Sequence, residues 1–463
     1  MFVGRESELK KLNKMYAKDS FEFAIIYGRR RVGKTTLINE FLKDKKAIYF
    51  TGVEENAANN LARFSKAILS FEDKENPVEA SFKNFDEAFS YLAKNIEKER
   101  LVLVIDEYPF LAKASPAVSS ILQYFIDHHF LQSKLFLILC GSSMSFMENQ
   151  VLGYQSPLYG RRTRQFKIKP FNFDETCEYF PKLDKETAFT LHAITGGIPR
   201  YLSLINTEET LRENISDSFL TPDAYLFEEP SNLLKQELRN PINYNSIITA
   251  IAEGASKQND IATKTQIPSS TITSYLRELI ALGIVEKIVP ITEIDKPKTK
   301  RTLYRIADGM FRFWHTFIPK NIDFIEQEID IWLAIEKEIP HFLAANFEEL
   351  SRDYLWKHYD DTSIVPTPFQ RIGLWWGTDD KTRKEVEIDI VGHDFDGLVG
   401  YFGECKWSKN LVGVSTLEKL IKNSELFYYP TKHLYLFAKT GFTKECRELA
   451  EKVGCRLVTF AEM

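Results

Sequence analysis

The chain has 463 residues, which exceeds one ordinary domain and suits about three. Its 44% apolar and 27% charged content is that of a soluble globular protein, and a net charge of −5 excludes a surface basic all over while leaving room for a local basic patch. The five cysteines (Cys140, Cys177, Cys405, Cys446, Cys455) form no CxxC pair and no zinc-like group with histidine, as expected of reduced thiols in a cytoplasmic protein. The opening Met1-Phe2-Val3-Gly4-Arg5-Glu6 is not an apolar signal segment, and no run nears the ~18 apolar residues of a membrane span.

Residues 2–9, Phe-Val-Gly-Arg-Glu-Ser-Glu-Leu, lead into helical spacing through Tyr16. Phe23-Ala24-Ile25-Ile26-Tyr27 is short enough for a buried parallel strand. It feeds Gly28-Arg29-Arg30-Arg31-Val32-Gly33-Lys34-Thr35-Thr36, which reads GxxxxGK[ST], and Leu37–Leu42 then resumes helical spacing. Strand, loop and helix in this order make a phosphate-binding loop. Gly28 and Gly33 let backbone N–H groups close round phosphate oxygens, and the helix aims its positive end at them. Lys34 reaches the β/γ-phosphates of ATP, and the Thr35 hydroxyl suits Mg²⁺. Arg29, Arg30, Arg31, Val32 and Thr36 complete the nucleotide-binding stretch, although the pattern does not say what the three arginines do.

Leu101-Val102-Leu103-Val104-Ile105-Asp106-Glu107 describes a buried strand ending in two acids, the edge at which open α/β sheets bind ligands. Asp106 is placed to orient Mg²⁺, and Glu107 to polarise an attacking water. A further buried strand, Leu135–Cys140, ends in Gly141-Ser142-Ser143. The F-x-G-R-x-x-E-L box about 20 residues before the loop, with the two motifs after it, resembles AAA+-related ATPases, including the STAND group. That resemblance implies that Val3, Gly4 and Arg5 lie near the adenine, and that Ser142 or Ser143 senses the γ-phosphate. Arginines in Leu158-Tyr159-Gly160-Arg161-Arg162-Thr163-Arg164 suggest an arginine finger, Arg161 or Arg162, which in trans would require an oligomer. Gly196-Gly197-Ile198-Pro199-Arg200 caps one helix and starts the next. It also resembles the lid of STAND and Orc-like ATPases, which implies nucleotide contacts for Pro199 and Arg200.

From Asn240 the spacing gives three short helices, the third beginning at Ser269-Ser270-Thr271, then a strand, a basic turn (Lys296, Lys298, Lys300, Arg301) and a returning strand at Thr302–Ile306. This is the order of a winged helix-turn-helix, whose third helix and basic wing would contact DNA or, alternatively, a protein partner. Residues 309–340 read as an aromatic helical connector that packs domains together.

In the last third, a helix around Phe347-Glu348-Glu349-Leu350 precedes strands at Val386–Gly392 and Val399–Lys406. Glu404 and Lys406, two apart, share a strand face, and a hairpin brings Asp389 beside them. Two carboxylates and an ammonium suit a Mg²⁺- or Mn²⁺-assisted attack on a phosphodiester, with Glu349, or Glu348, completing the set. The order helix-Glu, I-D-I, E-C-K resembles the PD-(D/E)xK nuclease fold, and W-W-G with G-E-C-K-W resembles a domain fused to archaeal-type ATPases. The resemblance leaves nuclease activity open.

The expected architecture is therefore α/β: a P-loop ATPase core at 1–170, a helical lid at 171–239, a winged helix-turn-helix at 240–308, a connector at 309–340 and a nuclease-like domain at 341–463. The expected function is an ATP-hydrolysing switch governing a DNA-binding and DNA-cleaving module. The alternative is a slow ATPase scaffold or regulator with a silent nuclease-like domain and a protein-binding winged helix.

Overall fold

The computed structural model describes residues 2–72, 80–95, 100–238, 240–296 and 299–463. Met1 and the wing residues Pro297 and Lys298 lie outside the described residues. The chain forms two compact units: Met1–Pro181 with Gly196–Ile205 and Ala281–Gly283, and Lys182–Thr195 with Asn206–Ile280 and Ile284–Met463.

Unit 1 is built on five parallel strands: β1 (Glu22–Tyr27), β2 (Ala47–Thr51), β3 (Leu101–Asp106), β4 (Leu135–Gly141) and β5 (Arg164–Lys167). Their order is β2-β3-β4-β1-β5. β1, β3 and β4 are buried at every position, which is why they read as unbroken apolar runs rather than as alternating ones. Side chains still alternate between faces. Phe23, Ile25, Leu103, Ile105, Leu137 and Leu139 fill one core, and Ala24, Ile26, Val102, Val104, Ile138 and Cys140 fill the other. The order puts β4 between β1 and β3, so the phosphate loop after β1, Ser142 after β4 and the acids at the end of β3 share one edge.

Unit 2 holds helices Pro241–Ala252, Gln258–Thr265 and Ser269–Ala281 and a two-stranded antiparallel hairpin, β6 (Val285–Ile288) and β7 (Leu303–Ile306). Residue Ala281 closes the third helix but belongs to unit 1. Helices Gly309–Phe317 and Trp332–Lys357 follow, and the second runs unbroken through Pro340, across the border expected at 340/341. The aromatic residues here do pack cores: Phe313 lies 4.8 Å from Phe219 and 5.8 Å from Phe342, and Trp314 Nε1 donates to Phe227 O at 2.7 Å.

The second sheet of unit 2 comprises β8 (Phe369–Thr378), β9 (Glu385–Asp394), β10 (Val399–Lys406), β11 (Thr431–Ala438) and β12 (Cys455–Thr459), in the order β12-β11-β10-β9-β8. β8, β9 and β10 pair antiparallel, whereas β10, β11 and β12 pair parallel. Among the described residues no helix is long and apolar enough to cross a membrane.

Candidate active site

The phosphate loop bends between β1 and helix Lys34–Leu42. Gly33 caps that helix at φ +88°, where a side chain would be strained. At Gly28 the constraint is different: a Cβ would come 2.3 Å from the Ile168 carbonyl oxygen, so the chain after β5 forbids a side chain there. Val32 is fully buried beneath the loop, and Thr35 and Thr36 are exposed. Lys34 is buried, its Nζ donating to Gly28 O at 2.9 Å and Arg29 O at 2.8 Å across the mouth of the loop. Burial lowers its pKa, against the opposing pull of Glu107 and Asp106.

Asp106 is held on both oxygens. Its Oδ1 accepts from Glu107 N at 2.9 Å, and its Oδ2 accepts from Tyr49 Oη at 2.7 Å and from Thr35 Oγ1 at 3.5 Å. A hydroxyl and a carboxylate at this separation are hard oxygen donors and fit Mg²⁺. When bound with ATP, that ion would neutralise charge on the β- and γ-phosphates. Glu107 sits in the left-handed region at φ +47°, and its Oε2 accepts from Ser142 Oγ at 2.9 Å and from Ser142 N at 3.3 Å. Ser142, rather than Ser143, makes these contacts with Glu107.

The opening box and the Gly-Gly-Ile-Pro-Arg segment both meet the loop within unit 1. Arg5, buried at φ +69°, donates to Lys169 O and, at 3.5 Å, to Val32 O, and lies over the Phe171 ring at 5.1 Å. Gly4, at φ +65°, leaves no room for a side chain, since a Cβ there would come 2.8 Å from Glu175 Oε1, and Val3 is buried. Pro199 Cγ lies 4.0 Å from where a Gly33 Cβ would stand. Arg200 N donates to Arg31 O at 3.4 Å, and the Arg31 guanidinium lies over the Tyr201 ring at 5.9 Å. Arg31 therefore helps to dock this segment, while the charge of Arg30 acts on Lys34.

One expectation for unit 1 changes. Arg161 is not poised as a finger, because it forks onto Asp127, Nε to Oδ1 at 2.7 Å and Nη2 to Oδ2 at 2.6 Å, and Nη1 donates to Pro157 O at 2.9 Å. Arg162 is the arginine whose charge reaches Tyr27, at the end of β1. Tyr49 went unnoticed; a tyrosine two residues before the end of a strand that pairs with β3 was its only signal.

In unit 2, Glu404, Lys406 and Asp389 do converge, since Gly403 pairs with Ile390 and the next step sets Glu404 opposite Asp389. Lys406 Nζ donates to Glu404 Oε1 at 2.7 Å, and Asp389 Oδ2 accepts from Cys405 N at 2.8 Å. Burial alone would lower the Lys406 pKa, but the ion pair with Glu404 outweighs it and raises it. The helical glutamate is Glu348 and not Glu349. Glu349 is drawn to Arg305, which also holds Glu286 at 2.5 Å, whereas Glu348 feels the charge of Asp389. Among the described residues no group of three or more His, Cys, Asp or Glu side chains is disposed to hold a metal ion. Of the set expected from Glu349, or Glu348, with Asp389 and Glu404, Glu349 pairs with Arg305 instead, Glu348 is the glutamate near Asp389, and Glu404 pairs with Lys406.

The hairpin that carries the basic turn is tied to the second sheet on one side. Ile291, 4% exposed, is part of the core with Trp375, Ile388 and Val391. Glu293 gathers the wing cations, Lys296 at 3.8 Å and Arg301 at 3.6 Å, and accepts from Thr299. Asp295 pairs with Arg371 of β8 at 2.5 Å. Of the four cations expected to neutralise phosphates, Lys296 and Arg301 are exposed and loosely paired with Glu293, Lys298 lies outside the described residues, and Lys300 is exposed.

Burial first, then Asp389, raises the Glu348 pKa to about 7, and burial, then Glu404, raises that of Asp389 to about 6. The folded chain then holds more protons than the unfolded one between the ordinary carboxylate range and neutrality, so stability falls as pH rises through that window. Glu348→Gln should gain on the native protein by about 1–2 kcal/mol at pH 8 and lose the advantage near pH 4. Chemical denaturation of unit 2 at the two pH values checks this.

The parallel sheet, with its phosphate loop after β1 and an Asp-Glu pair at the end of β3, defines a P-loop ATPase. Residues 2–205 match a family described as an ATPase domain predominantly from Archaea, and residues 314–420 match one described as Archaea bacterial proteins of unknown function. The uncharacterized protein MJECL04 of Methanocaldococcus jannaschii is 32% identical over 407 residues, covering 88% of each chain. The uncharacterized ATP-binding protein PH0541 of Pyrococcus horikoshii is 24% identical over 237 residues, 44% of this chain and 73% of that protein. The Walker-type ATPase PABY2304 of Pyrococcus abyssi shares the fold at a TM-score of 0.51 and 19% identity, over 68% of this chain and 96% of that one. The chain belongs to this archaeal-type P-loop ATPase family, together with MJECL04.

Proposed function

We propose that the protein is a nucleotide-driven regulator: a slow ATPase whose hydrolysis state is conveyed to a partner protein, with a nuclease-like domain silent in cleavage. The observation that carries this reading is the contact between Ser142 and Glu107. Both Ser142 donors bind Glu107 Oε2, so the residue that ends β4 and the base that follows β3 are linked, and a change at one is felt by the other. Glu107 is the general base, Lys34 and Asp106 position the phosphates and the metal, and Arg162 is the remaining finger candidate.

For the C-terminal region, silence is favoured in that, among the described residues, no three His, Cys, Asp or Glu side chains are disposed to hold a metal ion. The third helix of the winged-helix-like segment exposes Ser270, Thr271, Thr273, Ser274, Arg277 and Glu278. One cation offset by one anion neutralises few phosphates, which favours a protein over DNA. A second reading, metal-dependent cleavage, is favoured by one atom: Glu404 Oε2 is buried without a hydrogen-bond partner. Incubation of full-length protein with plasmid DNA, Mg²⁺ or Mn²⁺, and ATP or ADP decides between them. Intact plasmid in every nucleotide state is expected, whereas cleavage that Lys406→Ala abolishes would establish the second reading.

A further inference from the structure

Asp106 is 6% exposed, and so buried a carboxylate depends on the donors that reach it. Glu107 N reaches Oδ1, Tyr49 Oη and Thr35 Oγ1 reach Oδ2, and the Cys140 thiol also bonds to the carboxylate. Tyr49 makes the shortest of the nitrogen and oxygen contacts. It stands on β2 opposite Val104 of β3, two residues before Asp106 and hence on the same face of the sheet. Its ring packs against the core formed by Ile26, Val104, Ile138 and Cys140, so the hydroxyl is delivered from a fixed platform. Thr35, by contrast, is exposed, and at 3.5 Å its hydroxyl only approaches the same oxygen.

We propose that Tyr49 is a positioning residue for Asp106, its hydroxyl fixing the carboxylate oxygen that faces Thr35 and thereby setting the Mg²⁺ requirement for nucleotide binding. This rests on the reading of Asp106 as the acid that orients Mg²⁺. Oδ2 can accept from Tyr49 on one side and from a metal-bound water on the other, since a carboxylate oxygen has more than one acceptor site. Without the phenol the carboxylate loses its strongest side-chain donor and is free to rotate away from Thr35.

The test is a titration of full-length protein with a fluorescent ATP analogue at increasing Mg²⁺, which reads binding rather than turnover. Tyr49→Phe keeps the ring and removes one oxygen. It is expected to raise the Mg²⁺ concentration at half-maximal binding by about tenfold, the size of a hydrogen bond to a charged group, and to leave binding in EDTA unchanged. Tyr49→Leu should match Tyr49→Phe. If ring packing alone mattered, Tyr49→Phe would follow the native curve and only Tyr49→Leu would depart from it, which overturns the proposal. Asp106→Asn is the control for the underlying reading. Loss of Mg²⁺ dependence in Asp106→Asn beside a native curve for Tyr49→Phe rejects the role of Tyr49 alone, whereas a native curve for Asp106→Asn rejects the role of Asp106 itself.

Discussion

Lys34→Ala is expected to lower ATP turnover by about 10²- to 10³-fold, the usual loss when one preorganised donor to a transferring phosphoryl group is removed. The ammonium already lies at the mouth of the loop, bonded to Gly28 O and Arg29 O, and stays close to where phosphate oxygens must pass. Its charge is costly in that position, since burial lowers its pKa, and an arriving phosphate would relieve the cost. The substitution therefore removes an interaction that strengthens as charge builds on the γ-phosphate. Fold should persist, because Val32, Leu37 and Ile38 anchor the loop and its helix in the core. Phosphate release measured beside a thermal melt separates lost chemistry from lost structure, and unchanged turnover in a folded variant would remove the loop from the mechanism.

Sequence made the ATPase half legible because its chemistry is local. Gly28–Thr36 carries its strand, its turn and its helix within about twenty residues, and each buried strand of that sheet announces itself as an apolar run ending in polar groups. What stayed hidden depends on distant partners. Whether Arg161 is free is settled by Asp127, 34 residues away, and which glutamate of the pair 348/349 faces the sheet is settled by Arg305, 44 residues from Glu349. Adjacent helical residues point about 100° apart, so spacing alone cannot choose between Glu348 and Glu349 without the rotation of helix Trp332–Lys357 on its sheet. Gly28 shows the reverse case. Its identity follows from the motif, but the atom that forbids a side chain is the Ile168 carbonyl, which no local pattern contains.

The hairpin between β6 and β7 gives the second large effect. A DNA-probing wing would carry its cations on a tip free of the rest of the chain, and loss of an apolar residue there would cost little. Here Ile291 is inserted into the core of the second sheet, its side chain 3.2 Å from the position a Gly373 Cβ would take, beside Trp375 and Ile388. Gly373 is itself part of the fit, since the absence of its side chain admits the isoleucine. Ile291→Ala should therefore cost about 3 kcal/mol in unit 2, the transfer of three carbons plus a cavity that Trp375 and Ile388 can only partly close. Lys300→Ala, on the same hairpin but exposed, should stay within about 0.5 kcal/mol of the native protein. Urea denaturation of the two variants measures the difference. A cost below about 1 kcal/mol for Ile291→Ala would mean that the hairpin leaves the sheet easily. The exposed Lys296 and Arg301 could then move with the hairpin to follow phosphates, which would favour the DNA-binding reading. A full cost means that the hairpin serves as a brace between the three-helix segment and β8, with Asp295 and Arg371 closing its outer edge.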